Sequence, residues 1–153
     1  MARNVTYKAG QPIIKAGSKE KVMYVILKGE VSVRLIQGSV SVEVATMTKG
    51  GFFGEISFFS AMPRSADVIA KTECALAAID SLQQLNGFLE VNPKFAIKMV
   101  HILSERLART DELLLGKVVD ETRIKAVEAA GGEGAGHAAG SILHELDSLG
   151  GNE

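Results

Sequence analysis

Glu55 and Arg64 stand nine positions apart in FGEISFFSAMPRSADV (residues 53–68), an acid and a base inside a run of apolar and small residues. Phe53, Ile56, Phe58, Phe59 and Met62 favour burial, and a guanidinium among them is costly unless it is paired. The carboxylates nearest in sequence are Glu55 and Asp67, so Arg64 answers one of these or an anion from outside the chain. A phosphate suits the neighbouring residues. Gly54 lets main-chain N–H groups approach an anion, and Arg64-Ser65-Ala66 adds a planar fork, a hydroxyl and another backbone donor. Glu55 repels a phosphate and seeks a donor instead, which a ribose hydroxyl supplies. An acid suited to sugar and a base suited to phosphate together describe a nucleotide. On these residues alone, an internal Glu55–Arg64 ion pair stays open as the alternative.

The elements that must position this pair are short strands. From Ile13 to about Ile79, β-type runs (VMYVIL, VSVRLI, SVSVEVATM) alternate with turns at Gly17, Gly29, Gly38 and Gly50-Gly51, the spacing of a sandwich or barrel. In SVSVEVATM, Val40, Val42 and Val44 share one face and Ser39, Ser41 and Glu43 the other, which predicts an antiparallel strand with one wet side. Ser81 with Gln84 three residues later opens a short helix over 81–91. Asn92-Pro93 predicts a second helix, with Asn92 as its N-cap, running to about Ala130. Val100, Leu103, Leu107, Thr110 and Leu114 recur along it at alternating spacings of three and four, a coiled-coil seam with one polar member. Gly116 is a candidate kink.

Residues 131–140 are glycine-rich and read as a linker, followed by a short acidic amphipathic helix over 141–153 with Ile142, Leu143, Leu146 and Leu149 on one face. The stretch Gly134 to Ala139 matches a dinucleotide fingerprint only formally, because no strand precedes it. The expected organisation is therefore 1–130 as the main domain, 131–140 as linker and 141–153 as tail.

Composition excludes several classes. With 46% hydrophobic residues and a net charge of −1, the chain can bury a core and lacks the basic excess of a nucleic-acid or membrane-surface binder. No apolar run approaches the ~20 residues that span a bilayer, and MARNVTYKAG lacks a signal-peptide core, so a cytoplasmic location is expected. Cys74, the one cysteine, lies in CALAAI and reads as a small core residue. His101 reads as a helix-surface residue, and His137 and His144 as solvated tail residues; no spacing suggests a metal, and no nucleophile–histidine pair suggests an enzyme.

Phe53-Gly54-Glu55-Ile56 and Pro63-Arg64-Ser65-Ala66 resemble the phosphate-binding cassette of the cyclic-nucleotide-binding domain family, which includes the catabolite activator protein and the regulatory subunits of cyclic-AMP-dependent protein kinase. Tyr24 to Val31, Ala70 to Cys74, Val91-Asn92-Pro93 and Leu103 to Thr110 are similar to further stretches of that family, so the resemblance covers about residues 8–128. It implies a mainly β fold, an antiparallel jelly roll flanked by N- and C-terminal helices. It further implies that Gly54 and Ile56 offer N–H groups to the sugar-phosphate, that Glu55 accepts from the ribose 2′-hydroxyl, that Arg64 clamps the cyclic phosphate, and that Ser65 and Ala66 complete its shell. Thr110 would meet the adenine edge, accepting from the amino group and donating to a ring nitrogen; a helix threonine bonded to its own preceding turn is the plain alternative. Asp111 stands where the activator has a serine reaching from the other subunit. The implied function is a regulatory sensor for cyclic AMP, with cyclic GMP as the alternative ligand, signalling through its C-terminal helix as a homodimer. The competing class is a ligand-free interaction module whose tail helix docks on a protein partner. A fragment of a larger regulator is a third reading.

Overall fold

The structure, a computed structural model, describes residues 1–130. The expected linker over 131–140 and tail helix over 141–153 lie outside the described residues. Eight strands form two four-stranded sheets: β1 (Arg3–Tyr7), β8 (Cys74–Ile79), β3 (Met23–Lys28) and β6 (Phe52–Phe53) in one, and β2 (Pro12–Ile14), β7 (Asp67–Ala70), β4 (Val31–Gln37) and β5 (Val40–Met47) in the other. All pairings are antiparallel. Both sheets contribute to the core, with Tyr24, Ile26, Phe53, Leu76 and Ala78 from one and Ile13, Ile14, Val31, Val68 and Ala70 from the other. This is the expected jelly roll. A strand stands where a helix was expected at the N-terminus: Arg3–Tyr7 pairs along β8, with Val5 and Tyr7 half-buried on the core and Asn4 and Thr6 exposed.

The alternation in SVSVEVATM does not bury the face it predicts. Val40, Val42 and Val44 are each more than half exposed, and Ser39 and Ser41 are exposed too, because β5 is an edge strand and its hairpin with β4 runs past the end of the core. A bulge between Val33 and Arg34 breaks the register there.

Three helices complete the described chain: α1 (Glu55–Phe59), α2 (Leu82–Val91) and α3 (Pro93–Ala130). Ser81 caps α2 as expected, its hydroxyl accepting from the Gln84 N–H at 3.2 Å, while the Gln84 side chain returns to the Asp80 N–H at 3.1 Å. Asn92 is a correction. Its side-chain amide closes the end of α2 by donating to Phe88 O at 2.9 Å, and only its carbonyl serves α3, accepting from Phe95 N at 3.0 Å. Phe88 O also accepts from Asn92 N at 3.0 Å, so both Asn92 donors converge on one carbonyl at the end of α2 and the side chain is turned away from α3.

The chain divides into two compact units, Met1–Met99 and the remainder from Val100. In the first, Phe95 at the start of α3 packs edge-on against Phe52 of β6 at 6.0 Å and against Phe88 of α2 at 5.3 Å. In the second, α3 continues through Gly116 as one helix, roughly 57 Å long in all at about 1.5 Å per residue. Val100, Leu107 and Leu114 of its seam are exposed, and Leu103 is partly buried.

Candidate functional site

The residues between β6 and β7 form the candidate site. Gly54 follows Phe53 and caps α1 with φ +82°, a left-handed conformation that favours glycine. A Cβ at Gly54 would meet Arg64 Nη1 at 2.7 Å and Val22 O at 2.8 Å, so glycine is required twice over. Glu55 opens α1 and is buried, with 8% of its surface exposed. The first N–H groups of a helix have no partner within it, so those at the start of α1 face outward from the helix end. Ile56 is exposed, Ser57 is buried, and Phe58 and Phe59 pack edge to face at 4.9 Å.

Arg64 is 5% exposed. Its Nη1 donates to Gly54 O at 3.0 Å and its Nη2 to Val22 O, while its buried Nε has no hydrogen-bond partner among the described residues. Burial lowers its pKa, opposed by Tyr24 and by the carboxylates of Glu20 and Glu55, and an arginine still carries its proton. Its main chain is held as firmly as its side chain: Gly17 N donates to Arg64 O at 2.8 Å and Arg64 N to Ser18 O at 2.9 Å. Asp67, the other nearby carboxylate, accepts from Ala16 N at 2.7 Å through Oδ1. Ser65 is exposed and Ala66 half-buried.

The structure thus brings Gly54 and Arg64 into contact and seats Glu55, Ile56, Ser65 and Ala66 on the same connection between strands. Thr110 and Asp111 lie on α3 in the second unit, both exposed. Thr110 Oγ1 donates to Arg106 O at 2.9 Å, the bond to the preceding turn that a helix threonine commonly makes. Three participants carry no signal that motif reasoning recovers, because they act through main-chain atoms: the carbonyls of Val22 and Ser18 and the N–H of Gly17. Only the glycine at 17 hinted at them.

The arrangement suits an anion: a buried cation with an unfilled donor, a glycine turn with no room for a side chain, and an exposed serine beside it. Comparison with known proteins points the same way. The model of the family described as "Cyclic nucleotide-binding domain" matches residues 4–92, and the chain belongs to that family. It is similar to the cAMP-activated global transcriptional regulator CRP of Salmonella typhimurium, 33% identical over 109 residues, which are 69% of this chain and 51% of the regulator. It is also similar to the cAMP-dependent protein kinase type II regulatory subunit of Drosophila melanogaster, 42% identical over 65 residues, which are 42% of this chain and 17% of that one. The chain therefore spans about half the length of the first relative and a smaller part of the second. Among solved structures, the catabolite activator protein of Thermus thermophilus superposes with a TM-score of 0.71 over 97% of this chain and 80% of that one, at 22% identity, a likeness of fold.

Proposed function

We propose that this domain binds a cyclic nucleotide through Gly54, Glu55, Ile56, Arg64, Ser65 and Ala66, with cyclic AMP preferred over cyclic GMP, and that it passes the signal on by movement of α3. The observation that carries the reading is the buried Arg64 with its unpartnered Nε, fixed against a Gly54 that admits no Cβ. A cyclic phosphate adds negative charge at this guanidinium and supplies an acceptor for the unpartnered Nε. Glu55, buried beside it, accepts from the ribose 2′-hydroxyl. Thr110 and Asp111 are assigned to the base by family resemblance. With the Thr110 proton committed to Arg106 O, its oxygen accepts from the adenine amino group more readily than it donates to the guanine carbonyl. Relatives named for cyclic AMP support the same preference. Phe52 supports the signalling part, because it adjoins the cassette in sequence and touches the first turn of α3 through Phe95.

Isothermal titration with cyclic AMP, cyclic GMP and 2′-deoxy cyclic AMP tests these assignments. Cyclic AMP should bind more tightly than either competitor. A preference for cyclic GMP of more than about tenfold, or ~1.4 kcal/mol, would reverse the base assignment. Equal affinity for the ribose and deoxyribose ligands would remove the role of Glu55.

One observation favours a second reading. A backbone carbonyl already engages each of the Arg64 terminal nitrogens, so the cassette holds its shape on internal bonds, as a ligand-free interaction module would. No heat from any of the three ligands would favour that reading.

A further inference from the structure

A ring of hydrogen bonds surrounds Arg64. Gly17 N and Ser18 O hold its main chain, and the same connection between β2 and β3 then returns through Val22, whose carbonyl takes Nη2. Gly54 O takes Nη1. All these bonds use main-chain atoms or Arg64 itself. A side chain joins this ring at Asp67, whose Oδ1 accepts from Ala16 N at 2.7 Å, immediately before Gly17 at φ +83°. Asp67 is half-buried at the start of β7, opposite Arg34 of β4. Arg34 places its own donors on Ser41, at 2.9 Å to Oγ and 3.1 Å to the carbonyl.

We infer that Asp67 is a positioning residue for ligand binding: by fixing Ala16 it sets the Gly17–Ser18 turn, which sets Arg64. The physical reason is geometric. A guanidinium that clamps a phosphate must be placed to a fraction of an ångström, and its carbonyl partner at Val22 belongs to a loop that needs an anchor at its other end. A strand residue supplies a rigid one. The inference rests on the nucleotide-binding reading above.

Titration of the full chain with cyclic AMP tests it, using wild type, Asp67→Ala, Asp67→Asn, Arg64→Lys and the double variant Asp67→Ala/Arg64→Lys, alongside thermal melts without ligand. Asp67→Ala should bind about tenfold more weakly. Asp67→Asn, which keeps an oxygen acceptor at the same place, should recover to within about threefold of wild type. The cost of Asp67→Ala should largely vanish in the Arg64→Lys background, because a residue acting through Arg64 has nothing left to position. A purely structural role predicts no such coupling. Wild-type affinity in Asp67→Ala, failure of Asp67→Asn to recover, or an undiminished cost in the double variant would each overturn the inference. Should Asp67→Ala not fold, hydrogen exchange at Ala16 N in wild type and Asp67→Asn serves instead: protection in both supports the latch, and exchange at the rate of an open loop refutes it. That measurement reads the Asp67–Ala16 latch without ligand, so a failed latch is distinguishable from an absence of cyclic-nucleotide binding, which would sink the nucleotide reading and the positioning role with it.

Discussion

Arg64 keeps a positive charge at 5% exposure, a placement that is costly unless something repays it. Arg64→Ala should weaken cyclic-nucleotide binding by ~2–5 kcal/mol, since a desolvated phosphate loses its charge partner. The strands should still pair, so the variant should melt cooperatively; titration and a melt on the same sample check both, and wild-type affinity with a normal melt would refute the phosphate assignment. Tyr24 makes a separate prediction at this scale. It stacks on Phe53 at 5.3 Å, and burial, followed by Tyr7, raises its pKa from 10.0 to about 12. Above pH 10.0 the unfolded chain releases this proton while the folded chain keeps it. The associated stability is therefore full below that pH and is lost as the pH climbs toward about 12. Tyr24→Phe should flatten that stretch of the alkaline unfolding profile, read from denaturant midpoints; an unchanged slope would mean that Tyr24 does not govern it.

At the scale of elements, the turn from β6 into α1 is tightly constrained. Gly54 O accepts from Phe58 N at 3.2 Å and from Arg64 Nη1 at 3.0 Å, so one carbonyl serves both the first turn of α1 and the guanidinium. Gly54→Ala forces a left-handed alanine, at roughly 1–2 kcal/mol, and drives a methyl into Arg64 and Val22 O. The variant should melt lower and also bind nucleotide more weakly, with the second effect exceeding what destabilisation explains. A variant with wild-type melting and binding would show that the turn tolerates a side chain. On the same strand, Phe52 meets Phe95 at the start of α3, the contact on which the proposed signalling relies.

At the scale of the molecule, α3 is the main question. Val100, Leu107 and Leu114 are 65%, 63% and 55% exposed, and Leu113, Leu115 and Val118 extend the apolar surface around them. Exposed apolar residues gathered along one helix are the motive for proposing a partner there. A parallel homodimer through Val100, Leu103, Leu107 and Leu114 is the proposal. Light scattering on the full chain and on residues 1–130 should report dimers for both. A full chain that stays monomeric with and without ligand, and pairs only when 131–153 are removed, would defeat the proposal and make the tail an internal cap. Among the described residues no helix is long and apolar enough to cross a membrane.

Much of this architecture was legible in the residues because it depends on local chemistry. Alternation and glycine turns specify β3, β4 and β5; Ser81 with Gln84 specifies the start of α2; proline after Asn92 specifies where α3 begins. The family was legible from Gly54-Glu55 and Arg64-Ser65-Ala66, types whose chemistry points outward to a ligand. Whether an apolar face is covered is different, since it depends on what lies opposite: Val40, Val42 and Val44 alternate as a buried face does, and only the position of β5 at a sheet edge leaves them exposed. Asn92 shows the same limit, because two helix ends compete for one amide and the geometry of both decides. Arg64 shows it most plainly. Its type and surroundings call for an anion, but its partners at Gly17, Ser18 and Val22 are main-chain atoms, identical in every residue, which only the folded path of the chain can bring within reach.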